Sequence, residues 1–167
     1  GALAALLEED REFQVAILGD GKKEIETQLV EIARKDLFKG RMTVLTGYNQ
    51  KFANLLYAAG DFFVIPSRYE PCGLTDFMAQ LMGNLPIVRA TGGLVKVVDG
   101  FNGFSYVEHS PTALQDAIKR AFDVFRNSPE TRGRMIMDAV SNIRRNYTWD
   151  SVKDAYLRLY SGRKGPT

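Results

Sequence analysis

The residues best suited to chemistry are crowded into Ser67-Arg68-Tyr69-Glu70-Pro71-Cys72-Gly73-Leu74-Thr75. Gly73, Leu74 and Thr75 fall where a helix opens, and the first turn of a helix offers free backbone N–H groups and the positive end of the helix dipole. Such an opening can hold a phosphate. Gly73 brings no side chain and so lets a ligand approach the backbone, and the Thr75 hydroxyl adds a further donor. Pro71 keeps Glu70 extended in front of this opening. Cys72 lies inside the run but lacks the partner a nucleophilic thiolate needs, because the one histidine, His109, sits in a loop-like Glu-His-Ser-Pro context far along the chain. Cys72 and His109 together supply at most two of the usual four ligands of a structural zinc site, and one cysteine makes no intramolecular disulfide. No Cys/His metal site is expected.

The elements that must position these residues follow from hydrophobic periodicity. Short apolar runs at Gln14–Leu18, Met42–Leu45, Phe62–Ile65, Pro86–Val88 and Gly103–Tyr106 read as buried strands. Between them, apolar residues repeat at helical spacing: Ile25, Leu29, Ile32 and Ala33; then Phe52, Leu55, Leu56 and Ala59; then Leu74, Phe77, Met78 and Leu81. A short helix is expected around Leu94–Val98. Ser110-Pro111 and Ser128-Pro129 each pair a cap residue with proline at the first helical position, and a last helix starts near Trp149. Trp149, Tyr156 and Tyr160 are expected to anchor that helix in the core, with a flexible polar tail at 162–167.

Strand and helix alternation means α/β, a Rossmann-like parallel sheet with helices on both faces. Ligands of such sheets bind at the carboxyl ends of the strands. Four Gly-containing turns fall there: Gly19-Asp20-Gly21, Gly47-Tyr48, Glu70-Pro71-Cys72-Gly73 and Thr91-Gly92-Gly93. None is specific alone, since Gly19-Asp20-Gly21 lacks the third glycine of a dinucleotide fingerprint and no Gly-x-x-x-x-Gly-Lys-Ser/Thr loop is present.

The chain has 167 residues, 45% hydrophobic and 25% charged, which suits one domain spanning 1–167. Its formal charge of +2 gives no footprint for nucleic acid, and no apolar run reaches the roughly 20 residues that span a bilayer. A cytoplasmic setting, or a plastid stroma in a plant, is expected.

The run Ser67–Thr75 closely resembles the donor-site motif of bacterial glycogen synthases and plant starch synthases, retaining GT-B glycosyltransferases that use ADP-glucose. Gly47-Tyr48, Ala59-Gly60-Asp61, Ile87-Val88-Arg89-Ala90-Thr91-Gly92-Gly93-Leu94, Asn102-Gly103-Phe104 and Tyr147-Thr148-Trp149-Asp150 agree with the family's C-terminal domain in order and spacing. The resemblance implies that Glu70 is the catalytic donor-site glutamate, bonding glucose hydroxyls and stabilising positive charge at the anomeric carbon. It implies that Tyr48 stacks on adenine, and that Cys72, Gly73, Leu74, Thr75, Gly19, Thr91 and Gly92 line the nucleotide. It implies an α-1,4-glucan acceptor held by a preceding N-terminal domain, and no metal or other cofactor.

Two departures stand out. Met78 occupies the position where many retaining GT-B enzymes have a second glutamate, which agrees with the glycogen synthase branch. Lys96 replaces the aspartate usual after Thr-Gly-Gly-Leu. The chain also reads as a C-terminal domain lacking its first strand, which carries the family's diphosphate-neutralising arginine and lysine. The neighbouring strands must then pair directly, pair with another molecule, or leave an exposed edge that invites self-association. Alone, the domain is expected to bind ADP at millimolar strength or weaker and to catalyse negligibly. Two alternatives are a non-catalytic nucleotide-binding or assembly module, and a related transferase using another nucleotide sugar.

Overall fold

A computed structural model describes residues 1–162; residues 163–167, most of the expected tail, lie outside the described residues. The elements run α1 (Ala2–Glu9), β1 (Val15–Gly19), α2 (Lys23–Ala33), β2 (Met42–Thr46), α3 (Gln50–Ala59), β3 (Phe62–Ile65), α4 (Leu74–Leu81) and β4 (Leu85–Arg89). A 3₁₀ turn at Gly92–Lys96 follows, then β5 (Phe104–Tyr106), α5 (Pro111–Asn127), α6 (Pro129–Asn146) and α7 (Trp149–Tyr160). The expected short helix at Leu94–Val98 is thus a 3₁₀ turn that begins two residues earlier, stopped where Asn102 Oδ1 accepts the Val98 N–H at 2.7 Å.

Every strand pairing is parallel, as the strand–helix alternation requires, but the ladder comes in two pieces. β1 pairs with β2 from Val15↔Met42 to Gly19↔Thr46, while β3, β4 and β5 form a second sheet in that order. Of the three arrangements the sequence leaves open, the exposed edge is the one found: β1 and β3 do not pair, and each keeps one unpaired edge. The cost is visible in burial. Four of the five β4 residues are buried, whereas β1 has none fully buried and its Ala16 is exposed.

A common core still joins the two sheets. Leu85, Ile87 and Phe104 pack with Ile118, Ala117 and Ala121 of α5, and Val15, Ile17 and Val44 border the same cluster. Phe122 of α5 lies 4.9 Å from the Phe13 ring, just before β1, and 5.5 Å from the Phe62 ring that opens β3. Pro86 is tolerated within the central strand because β5 joins β4 only from Ile87 onward, so no ladder partner is lost to its missing N–H.

Caps set the helix starts. The Ser110 side chain accepts the Ala113 N–H with Pro111 following, and Thr148 and Ser151 form a reciprocal capping box at α7. The core role expected for the α7 aromatics is overturned: Trp149 is 78% and Tyr160 81% exposed. Trp149, Tyr156 and Tyr160 instead stack on one another along the outside of the helix. Their spacing is amphipathic, but the described residues place no opposing surface over that face.

Candidate functional site

β3 ends at Ile65 and releases the loop 66–73, which turns into α4 through Gly73. Gly73 has φ 69° and ψ 55°, a left-handed conformation, and a Cβ there would stand 2.8 Å from Leu94 Cδ2. Glycine is required on both counts. Leu74 is 67% exposed and Thr75 is exposed, so the first turn of α4 opens to solvent.

Glu70 folds back onto that turn. Its Oε1 accepts the Gly73 N–H at 3.2 Å and its Oε2 accepts the Ser67 hydroxyl at 3.2 Å. A carboxylate therefore occupies part of the helix opening where an anion is favoured, and the Gly73 N–H is engaged rather than free. A phosphate taking that donor would displace the Glu70 carboxylate and release it toward whatever lies in front.

The second wall is the Thr91-Gly92-Gly93 turn after β4. Gly93 N–H donates to Glu70 O at 2.8 Å. Gly92 has φ 50°, and a Cβ on it would fall 1.9 Å from Glu70 O. Thr91 is the cap residue of the 3₁₀ turn and half-buried. Backbone thus packs on backbone: the two loops form one rigid wall, and the glycines are there first for packing.

Three side chains to which the sequence assigned no role act behind this wall. Arg89, at the end of β4, donates to the carbonyls of Arg68 at 3.1 Å and Ser67 at 3.5 Å, and to Val107 O at 3.1 Å. Lys96 donates to Cys72 O at 2.6 Å and Gly73 O at 2.8 Å, and its ammonium lies 3.1 Å from Asp76 Oδ1. Asp76 is fully buried, its Oδ2 accepting from Gln80 at 3.0 Å. Burial pushes the Asp76 carboxyl above its ordinary value, against the opposing charge of Lys96. A cationic residue two positions after Thr-Gly-Gly-Leu was the sequence signal for Lys96; Asp76 gave none, because an acid in a first turn reads as ordinary capping.

Gly19 and Tyr48 come together elsewhere on the rim. Gly47 N–H donates to Gly19 O at 3.3 Å, joining the carboxyl ends of β1 and β2. Tyr48 is 76% exposed, its hydroxyl hydrogen-bonded to Gln50, so a ring face is open to stacking. Cys72 is a free, exposed thiol whose carbonyl, not its sulfur, is engaged. His109 is exposed just before α5. Among the described residues no helix is long and apolar enough to cross a membrane.

Comparison with known proteins shows the family. Residues 1–123 match the family model described as glycosyl transferases group 1. Glycogen synthase from Xanthomonas campestris pv. campestris is 38% identical over 148 residues, covering 88% of this chain and 30% of that protein. Glycogen synthase from Pseudomonas syringae pv. tomato is also 38% identical over 148 residues, 88% of this chain and 29% of that protein. The chain thus spans about a third or less of the length of these relatives.

Among solved structures, the catalytic domain of starch synthase IV from Arabidopsis thaliana, bound to ADP and acarbose, superposes with TM-score 0.75 and 29% identity. That match covers 89% of this chain and 32% of the other. Anabaena Alr3699/HepE in complex with UDP-glucose shares the fold, with TM-score 0.75 and 18% identity over 96% of this chain and 44% of that one.

Proposed function

The chain belongs to the group 1 glycosyl transferases, and on that premise we propose that residues 1–167 are the nucleotide-sugar-binding domain of a glycogen or starch synthase. The whole protein then transfers glucose from ADP-glucose to the non-reducing end of an α-1,4-glucan with retention of configuration. A preceding domain holds the glucan, and the setting is cytoplasmic or plastidic.

One observation carries this reading: the Glu70 carboxylate sits on the Gly73 N–H at an exposed helix opening, backed by the Gly92-Gly93 turn. A diphosphate arriving there replaces one anion by another on donors already in place, and frees a carboxylate beside the anomeric carbon. Gly73, Leu74 and Thr75 bind the phosphates, with Cys72, Thr91 and Gly92 as the surrounding wall. Gly19 and Tyr48 hold the nucleoside, Tyr48 by stacking. The starch synthase relative was solved with ADP, which supports adenine as the base.

Affinity in the isolated chain is modest. A helix terminus supplies up to about 2 kcal/mol and a stacked base about 1–3 kcal/mol, while a millimolar constant already needs about 4.1 kcal/mol. Transfer by this chain alone is negligible, because it needs acceptor and donor held together with water excluded.

Calorimetric titration of the chain with ADP, UDP and GDP tests the assignment. ADP binds most tightly; equal affinities for all three overturn the adenine reading. In the full-length synthase, Glu70→Gln abolishes glucosyl transfer while ADP affinity is retained.

A second reading, an assembly module without catalysis of its own, rests on the unpaired edges of β1 and β3. Exposed ladder groups favour association with a further strand or a second copy. Concentration-dependent mass with no nucleotide affinity is the result that favours it.

A further inference from the structure

Lys96 stands where a cation was not expected, and the fold gives it a full set of partners. Its side chain is 13% exposed and Asp76 faces it at 0% exposure. The ammonium lies over the Phe77 ring at 4.1 Å, so its remaining surface is apolar. An ammonium has three protons to place. Two go to the carbonyls of Cys72 and Gly73, and the third side faces Asp76 Oδ1, which accepts no hydrogen bond from any group. Asn102 closes the assembly by donating to Gln80 Oε1 and Lys96 O, each at 3.3 Å.

Two consequences follow for the opening of α4. The first is orientational. A trans peptide points its N–H opposite its C=O, and no peptide bond here is cis. Drawing the Cys72 and Gly73 carbonyls onto one ammonium therefore turns the Gly73 and Leu74 N–H groups to the other side, and it is there that Gly73 meets Glu70. The second is electrostatic. Asp76 lies in the first turn of α4, in the low-dielectric interior, next to the position an anion would take. Left unpaired, its charge would cancel what the helix dipole offers.

We propose that the Lys96–Asp76 pair sets the potential and the peptide orientation of the anion site at α4, which makes Lys96 a positioning residue for the donor diphosphate. The proposal rests on the donor-site reading above. Lys96 does not touch the phosphates; it neutralises Asp76 behind them and aims the N–H groups that do.

The test is a set of ADP titrations on the ¹⁵N-labelled 167-residue chain, read by backbone amide shifts, for the parent, Lys96→Met, Asp76→Asn, the double variant and Lys96→Arg. Lys96→Met lowers ADP affinity about tenfold, because the Gly73 and Leu74 N–H groups lose their orientation and Asp76, where ionised, becomes an uncompensated charge several ångströms from the anion. Asp76→Asn alone strengthens binding about threefold or more, because Lys96 is then an unpaired cation behind the site. The double variant recovers the electrostatic part of the loss, binding ADP at least about threefold more tightly than Lys96→Met, and Lys96→Arg stays near the parent.

A purely structural pair predicts the opposite sign for Asp76→Asn and no rescue in the double variant, and either result overturns the proposal. If Lys96→Met fails to fold, the sign of the Asp76→Asn change decides alone. A parent chain that binds no ADP removes the donor-site reading and the proposal together, whereas a parent that binds and a Lys96→Met chain that binds equally removes the proposal only.

Discussion

The two sheets of this molecule carry the two halves of the candidate site and are held in different ways. Around β3, β4 and β5, backbone packs on backbone at Gly92–Gly93, Arg89 ties carbonyls of two separate segments, and Lys96 holds the adjacent carbonyls of Cys72 and Gly73. Around β1 and β2, Gly19 and Gly47 share one hydrogen bond of 3.3 Å, and α2 buries no residue at all. The better-fixed half is the one where charge must be met at short range and where an error of an ångström would matter. The looser half offers an exposed aromatic face, on which a base can stack without hydrogen-bond readout.

Breaking the rigid half has the largest effect. Gly92→Ala puts a Cβ into Glu70 O at 1.9 Å and asks alanine to adopt φ 50°, so unfolding stability falls by about 4 kcal/mol or the chain does not fold. Chemical denaturation reads it, and a loss under about 1 kcal/mol would show that the loops are not interlocked.

A smaller break comes from Arg89→Met, which deletes bonds to Ser67, Arg68 and Val107 while keeping much of the stem. A loss of about 2 kcal/mol is expected, because hydrogen bonds to charged groups are worth about 1.5–3 kcal/mol and water replaces them in part. ADP affinity should fall with it, since the Glu70 loop loses its buttress.

The smallest effect sharpens the contrast. Tyr48→Ala on the loose half leaves stability within about 0.5 kcal/mol, because the ring is 76% exposed. Nucleotide selectivity is what it removes: ADP affinity drops while binding of inorganic pyrophosphate stays as it was. An equal loss of both would place Tyr48 in the scaffold instead.

Most of the fold was legible because apolar period and punctuation agreed along the chain. Phe62–Ile65, bounded by Asp61 and Pro66, reads as a strand and is one, and the Ser110-Pro111 start of α5 holds to the residue. The motif Glu70–Thr75 was legible for a similar reason, since helix openings are local and their donors are set by the backbone. What misled was α7. Its amphipathic spacing says that one face is meant to be covered, but not by which surface, and Trp149 stands exposed.

The sequence by itself determined the α/β class, the strand-to-helix turns at the rim and the family, because each depends on residues close along the chain. Only the tertiary structure decided that the sheet divides between β1 and β3, that the Glu70 carboxylate turns back onto the Gly73 N–H of the helix opening it stands before, and that Lys96 reaches Asp76 across twenty residues. Those outcomes depend on which backbone edges and which charges meet in space. No local pattern encodes that, because the balance between burying a charge and pairing it is settled only when the chain has closed around both partners.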